Sequence, residues 1–203
     1  HHHTTPHNNN NTHIHIIMSA KRAGLRASTR SLFLLREFGQ KGETLELPPN
    51  CELEFPDAPL DRNEIDSGKY KRFIVHYRPE EGIYANGVFR IEFDVRDVKE
   101  YPFQPPKAKM LTKIWHVNVD DEGNICHNYL KTDAIVDGGY SPVLGMSGLV
   151  FGIITMFDVD SDSFNPADGL NPAAVANWFD DKEGYIAKAK EYTAKYATPV
   201  KIP

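Results

Sequence analysis

The chain has 203 residues, 40% of them hydrophobic and 25% charged, with two cysteines and a formal net charge of −5. That length suits one domain of ordinary size plus a tail, large enough to bury a core without disulfides or a structural metal. Two cysteines are too few for a disulfide framework, no apolar run approaches the ~20 residues that span a bilayer, and the acidic balance argues against nucleic acid as the main partner. Nothing resembles a signal peptide, so a reducing compartment, cytoplasm or nucleus, is the expectation, with no membrane partner.

Residues 1–17, a His-rich start and then an asparagine run, are of low complexity and cannot bury a core. They are read as part of an N-terminal extension over 1–27, ahead of one folded domain over 28–198 and a tail over 199–203. Between Met18 and Lys41 the cations Lys21, Arg22, Arg26, Arg30, Arg36 and Lys41 face only Glu37, a local balance of +5. Such a run is commonly a solvated helix face; the functional alternative is an arm that docks on an acidic protein surface. Ser31-Leu-Phe-Leu-Leu-Arg-Glu-Phe puts Leu32, Leu35 and Phe38 at helical spacing, and Gly39 and Gly42 stop the helix.

Strand-like runs follow over 51–55, 70–77 and 88–95, with Ala85-Asn86-Gly87 a hairpin signal between the second and third. Tyr101-Pro-Phe-Gln-Pro-Pro cannot be a regular central strand, because its prolines remove ladder donors. Residues 107–111 read as a fourth strand. After a glycine-containing loop over 130–141, Met146, Leu149, Val150, Ile153, Ile154 and Phe157 recur with helical period. Gly145, Gly148 and Gly152 each weaken that helix by about 1 kcal/mol relative to alanine, so burial must hold it, or the glycines allow close approach to the sheet. Runs over 172–179 and 181–196 predict two more helices, with Asn171 capping and Pro172 at the first helical position. Strands first and helices afterwards make the fold class α+β.

Residues 116–128, His-Val-Asn-Val-Asp-Asp-Glu-Gly-Asn-Ile-Cys-His-Asn, carry most of the chemical information. A thiol at Cys126 closing a polar turn, with the Asn118 amide able to point back at it, suggests a cysteine that holds a carbonyl group as a thioester. A buried, inert thiol is the commoner fate of a free cysteine, and Cys51, at the start of a strand, reads as packing. No lysine or arginine adjoins Cys126, so its pKa is expected to be near normal. His116 reads as a buried ring bonded to the backbone.

The order helix, four-strand meander, Pro-rich turn, His-x-Asn, Cys, long helix and two further helices resembles the ubiquitin-conjugating enzyme family. The landmarks are Tyr101-Pro-Phe-Gln-Pro-Pro, His116-Val-Asn118, Gly123-Asn-Ile-Cys126, Ser141-Pro142 and Asn165-Pro-Ala-Asp168, and the likeness spans roughly 28–197. The extra residues between Cys126 and Pro142, containing Asp137-Gly-Gly, look like the neddylation branch, as do Leu111-Thr-Lys-Ile-Trp-His116, Phe157 and Asp181-Lys-Glu. The resemblance implies that Cys126 takes a ubiquitin-like modifier from an activating enzyme and passes it to substrate lysines, such as those of cullins. It makes Asn118 the oxyanion donor and Asp168 the acid that orients and deprotonates the incoming lysine. Phe103, Pro142 and Val143 would grip a RING-type ligase, which brings its own zinc, and Lys21, Arg22, Arg26, Arg30 and Arg36 would dock the activating enzyme. No cofactor or metal is implied, and the transfer step needs no nucleotide.

Some positions depart from the family pattern. Val117 stands where proline is usual, Ala167 replaces an acid and Gly169 a proline, so the loop around Asp168 is expected to be more mobile. Asn128 occupies a position that is often acidic. The competing readings are a ubiquitin carrier of the same fold, a non-catalytic scaffold variant, and a thiol hydrolase pairing Cys126 with His116 or His127.

Overall fold

The structure, a computed structural model, describes residues 33–34, 37–38, 45–57, 71–132 and 138–198. Strands β1 (Cys51–Glu54), β2 (Arg72–Tyr77), β3 (Phe89–Asp94) and β4 (Lys107–Met110) form one antiparallel sheet in chain order. On β3, Phe89, Ile91 and Phe93 are buried while Arg90, Glu92 and Asp94 are half-buried, the period of two that gives a sheet one apolar face. Register follows from that alternation: Val75 lies opposite Ile91, and Ile91 opposite Met110.

Three helices follow the strands: α1 (Gly145–Thr155), α2 (Pro172–Asp180) and α3 (Lys182–Tyr196). The fold is therefore α+β, as the order of elements predicts. Helix α1 buries Met146, Leu149, Val150, Ile153 and Ile154, its predicted apolar positions, and Phe157 just beyond it is also buried. Full burial of side chains of this size stabilises by about 1.5–3 kcal/mol each, enough to offset the three glycines. The predicted close approach to the sheet needs correction. A Cβ at Gly152 would overlap the ring of Tyr129, so the glycine admits the short 3-10 turn Asn128–Leu130, not a strand.

Helix starts follow from local chemistry. Asn171 accepts from the Ala174 amide at 3.1 Å ahead of Pro172, and Asp181 accepts from the Gly184 amide at 2.9 Å. At the N-terminal side Phe33, Leu34, Glu37 and Phe38 are helical. Leu34 and Phe38 are buried, so the helix packs through a stripe that includes Leu34; Leu32 and Leu35 lie outside the described residues. Phe38 meets Phe73 edge-on at 5.0 Å, and Phe73 stacks on Phe93 at 5.1 Å. The Glu37 carboxylate accepts from the Met146 amide at 2.8 Å, tying this helix to the start of α1.

The hairpin signal at Ala85-Asn86-Gly87 also needs correction. β2 and β3 do pair up to Tyr77 opposite Phe89, but residues 78–88 between them form a long loop and no two-residue turn. Asn86 takes a positive φ of 68°, whereas Gly87 supplies space: a Cβ there would come within 2.7 Å of Phe89, 2.8 Å of Thr193 and 2.9 Å of Ala197. The loop is long because it buries Tyr84. The Tyr84 hydroxyl donates to the Trp115 carbonyl at 2.8 Å and lies 3.0 Å from the Tyr185 hydroxyl, joining loop, α3 and the approach to His116.

Candidate active site

The site starts from His116, which is fully buried. Its Nδ1 accepts from the Asn118 amide at 2.9 Å, so Nε2 carries the proton and donates to the Met156 carbonyl at 2.9 Å. Burial pushes its pKa down to about 4, and the ring is neutral at physiological pH. His127 is equally occupied: Nδ1 accepts from the Tyr129 amide at 3.1 Å and Nε2 meets Ser163 Oγ at 3.3 Å, with burial again lowering its pKa. Both ring nitrogens of each histidine are committed away from sulfur, which removes the base that a thiol hydrolase requires.

Asn118 is buried, and its side chain reaches across to the loop that carries Asp168. Oδ1 accepts from the Asn165 amide at 3.0 Å, while Nδ2 donates to the Asn165 carbonyl at 2.8 Å and, loosely, to the Asp168 carbonyl at 3.5 Å. The amide therefore does not point back at the thiol. It is the Asn118 backbone carbonyl that meets Cys126, accepting from its amide at 2.9 Å. Without proline at 117, the turn is held by the Val117 carbonyl, which accepts from Leu170 N at 2.8 Å and Asn171 N at 3.0 Å.

The Asp168 loop, expected from its sequence to be more mobile, is bonded at several points. Asn165 caps the 3-10 turn Pro166–Asp168 by accepting from the Ala167 and Asp168 amides at 3.1 and 3.3 Å. A Cβ on Gly169 would overlap Val175 and approach the Val117 carbonyl at 3.1 Å. Glycine there permits a tight fit between the loop, Val117 and α2.

Cys126 is half-buried, and its Sγ lies 3.5 Å from Asp168 Oδ2. The same oxygen is ion-paired with Lys131 Nζ. Lys131 is the residue that the sequence reading missed. It is not adjacent to Cys126 in sequence, and the turn Asn128–Leu130, capped by His127, is what brings it back toward the thiol. A cation thus does adjoin Cys126, and the thiol pKa is raised rather than near normal. Burial raises it most, Lys131 opposes that, and Asp168 adds to it. The Lys131 hydrogen bond holds the Asp168 carboxyl below the usual carboxylate range, and Asp168 raises the Lys131 ammonium in turn.

Cys126, Asn118, His127, Asp162, Asn165 and Asp168 face a shallow, open depression of about 210 Å³. Cys51 packs at the edge of the core, where burial pushes its thiol up to about 12 and keeps it protonated.

Phe103 is 70% exposed and Val143 94% exposed, while Pro142 is half-buried. Their two loops are joined by the Tyr140 hydroxyl, which donates to the Pro102 carbonyl at 2.9 Å. Lys21, Arg22, Arg26, Arg30 and Arg36 lie outside the described residues. Among the described residues no His, Cys, Asp and Glu side chains gather as a metal site.

With this geometry in place, residues 54–193 match the family described as ubiquitin-conjugating enzyme. The chain is 34% identical to the NEDD8-conjugating enzyme UBE2F of Rattus norvegicus over 172 residues, covering 85% of this chain and 84% of that protein. The Homo sapiens UBE2F gives 33% over the same coverage, and the NEDD8-conjugating enzyme ubc-12 of Caenorhabditis elegans gives 35% over 58% of this chain and 63% of that protein. Among solved structures, S. cerevisiae Ubc12 superposes with a TM-score of 0.64 at 26% identity, over 87% of this chain and 85% of that one. The chain belongs to the ubiquitin-conjugating enzyme family, in its neddylation branch, and is an acyltransferase for a ubiquitin-like modifier.

Proposed function

We propose that this chain accepts NEDD8 as a thioester on Cys126 and transfers it to substrate lysines such as those of cullins, together with a RING-type ligase. The observation that carries the reading is the half-buried thiol of Cys126, 3.5 Å from the Asp168 carboxylate at the rim of an open depression. In the first step the Cys126 thiolate attacks the thioester on the activating enzyme; a new C–S bond forms and the activating enzyme's thiol leaves. In the second, an acceptor amine attacks the carbonyl carbon and charge develops on the carbonyl oxygen. The Asn118 N–H whose bond to the Asp168 carbonyl is long, at 3.5 Å, is the one that would have to leave that carbonyl and turn to meet the oxyanion.

Asp168, with its lowered pKa, is ionised at neutral pH and a weak base. Its work is to hold the incoming lysine, which attacks as the neutral amine, and to take the proton that the nitrogen sheds as the N–C bond forms and makes it acidic. The intermediate then expels the Cys126 thiolate and leaves an isopeptide. Phe103, Pro142 and Val143 form the ligase patch: two exposed apolar side chains on loops tied together are worth little to a monomer and much to an interface. Lys21, Arg22, Arg26, Arg30 and Arg36 supply the activating-enzyme dock. The reaction belongs to cytoplasm and nucleus, where Cys126 stays reduced.

The test mixes the protein with ATP and either NEDD8 and its activating enzyme or ubiquitin and its own. A higher-mass band with NEDD8 that collapses on adding reductant, and is lost in Cys126→Ala, is the expected result. A band with ubiquitin alone assigns the chain to ubiquitin transfer. No reducible band with either modifier overturns the reading.

A further inference from the structure

We propose that Lys131 occupies the seat of the acceptor lysine, so that it favours loading of Cys126 and must be displaced before discharge. The inference rests on the proposed function, because the seat is defined by Asp168 as the carboxylate that receives the incoming amine. Lys131 Nζ is bonded to Asp168 Oδ2, and that same oxygen is the one 3.5 Å from Cys126 Sγ. An acceptor ammonium approaching the thioester must reach this oxygen. The chain's own ammonium is already there.

Two consequences of opposite sign follow from one contact. Before loading, a cation beside the sulfur favours the thiolate, against burial and the Asp168 charge, which both disfavour it. Lys131 is the cation that opposes them at the sulfur. After loading, the acceptor must exchange with Lys131 at Asp168. While that ion pair stands, Lys131 occupies the carboxylate, and an acceptor must take its place before it can give up a proton there. Lys131 and Asp168 are each partly exposed, which keeps the pair weak enough to exchange. A pair of this kind biases an equilibrium by about two- to fivefold.

The test is a single-turnover pulse and chase on wild type, Lys131→Met and Lys131→Arg. Cys126 is loaded with NEDD8, activation is quenched, and free lysine is added as the acceptor. Lys131→Met should load more slowly, and its iodoacetamide reactivity should move to higher pH. It should also discharge about two- to fivefold faster at low lysine, through a lower apparent KM with little change in kcat. Lys131→Arg, which keeps a cation on the carboxylate, should restore wild-type loading and discharge. A merely structural role would slow both steps and leave the alkylation profile in place. The inference is overturned if Lys131→Met discharges no faster than wild type, or if mass spectrometry finds NEDD8 joined to Lys131. Failure of wild type to load at all would instead overturn the proposed function, so the two outcomes separate.

Discussion

His116 predicts how this protein responds to acid. Free histidine takes its proton near pH 6.5, whereas the fully buried ring of His116 does so only near pH 4. Between those values the unfolded chain binds a proton that the folded chain refuses, so unfolding gains as the pH falls. Above pH 6.5 both states are neutral and the full stability remains; below pH 4 nothing more is lost from this group. Each pH unit inside the window is worth about 1.4 kcal/mol, so lowering the pH from 7.5 to 5.0 removes about 2 kcal/mol through His116 alone. His127, whose pKa is also lowered by burial, acts in the same direction, so the contribution of His116 must be isolated. Urea unfolding of wild type and His116→Gln at the two pH values measures it, and the variant should show the smaller pH loss. Should the variant fold poorly, the His116 ring signals in wild type at pH 5.5 should still report a neutral imidazole. Equal pH losses in the two proteins, or a protonated ring at pH 5.5, would refute the reasoning.

Three further outcomes follow from the same geometry. Cys126→Ser should trap the modifier as an oxyester that survives reductant, seen as a stable band on a gel; a band that still collapses would place the acyl group elsewhere. Asn118→Ala should load normally and discharge more slowly in the lysine chase. It should also lower stability by about 1–3 kcal/mol in urea unfolding, because Asn165 loses its buried partners. Unchanged discharge with reduced stability would leave Asn118 a purely structural clasp. Gly152→Ala should cost about 1–3 kcal/mol by overpacking Tyr129, and Tyr129→Ala should recover most of that loss in a double-mutant cycle. Additive losses would remove the Tyr129 contact as the reason for glycine at 152.

Sheet and helices were legible because each carries a pattern that short-range physics enforces. The alternation in Phe89–Asp94 and the apolar stripe in Gly145–Thr155 give the elements, and Asn171 and Asp181 mark helix starts. Cys126 stood out from its own polar turn, but Asp168 was legible only through the resemblance, since nothing in the spacing of two residues so far apart tells that one oxygen will face one sulfur. Lys131 was invisible for a related reason. Its distance along the chain suggests separation, and only the turn after His127, packed against the bare backbone of Gly152, brings its ammonium back to the carboxylate. Long-range pairing also explains the loop over 78–88. The Asn-Gly signal is genuine locally, since Asn86 does take a positive φ, but burying Tyr84 against Trp115 and Tyr185 decides the length of the connection.

The departures around Asp168 and at Val117 look, in sequence, like independent losses of rigidity, and in space they form one clasp. The Val117 carbonyl holds Leu170 and Asn171, while the Asn118 side chain holds both backbone groups of Asn165. Gly169 lets that loop sit close enough for the bonds to form, since any side chain there would overlap Val175. His116 anchors the other end, fixing the Asn118 amide from one ring nitrogen and the end of α1 from the other. Rigidity that a proline would supply within one strand of the turn is supplied here by bonds between two segments. Such a clasp transmits displacement. Moving Asn118 shifts the loop that carries Asp168, and with it the oxygen that faces both Cys126 and Lys131. In the proposed reaction the groups at Asn118 and Asp168 would therefore be coupled mechanically as well as chemically, so substitutions at the two should not be additive in discharge rate.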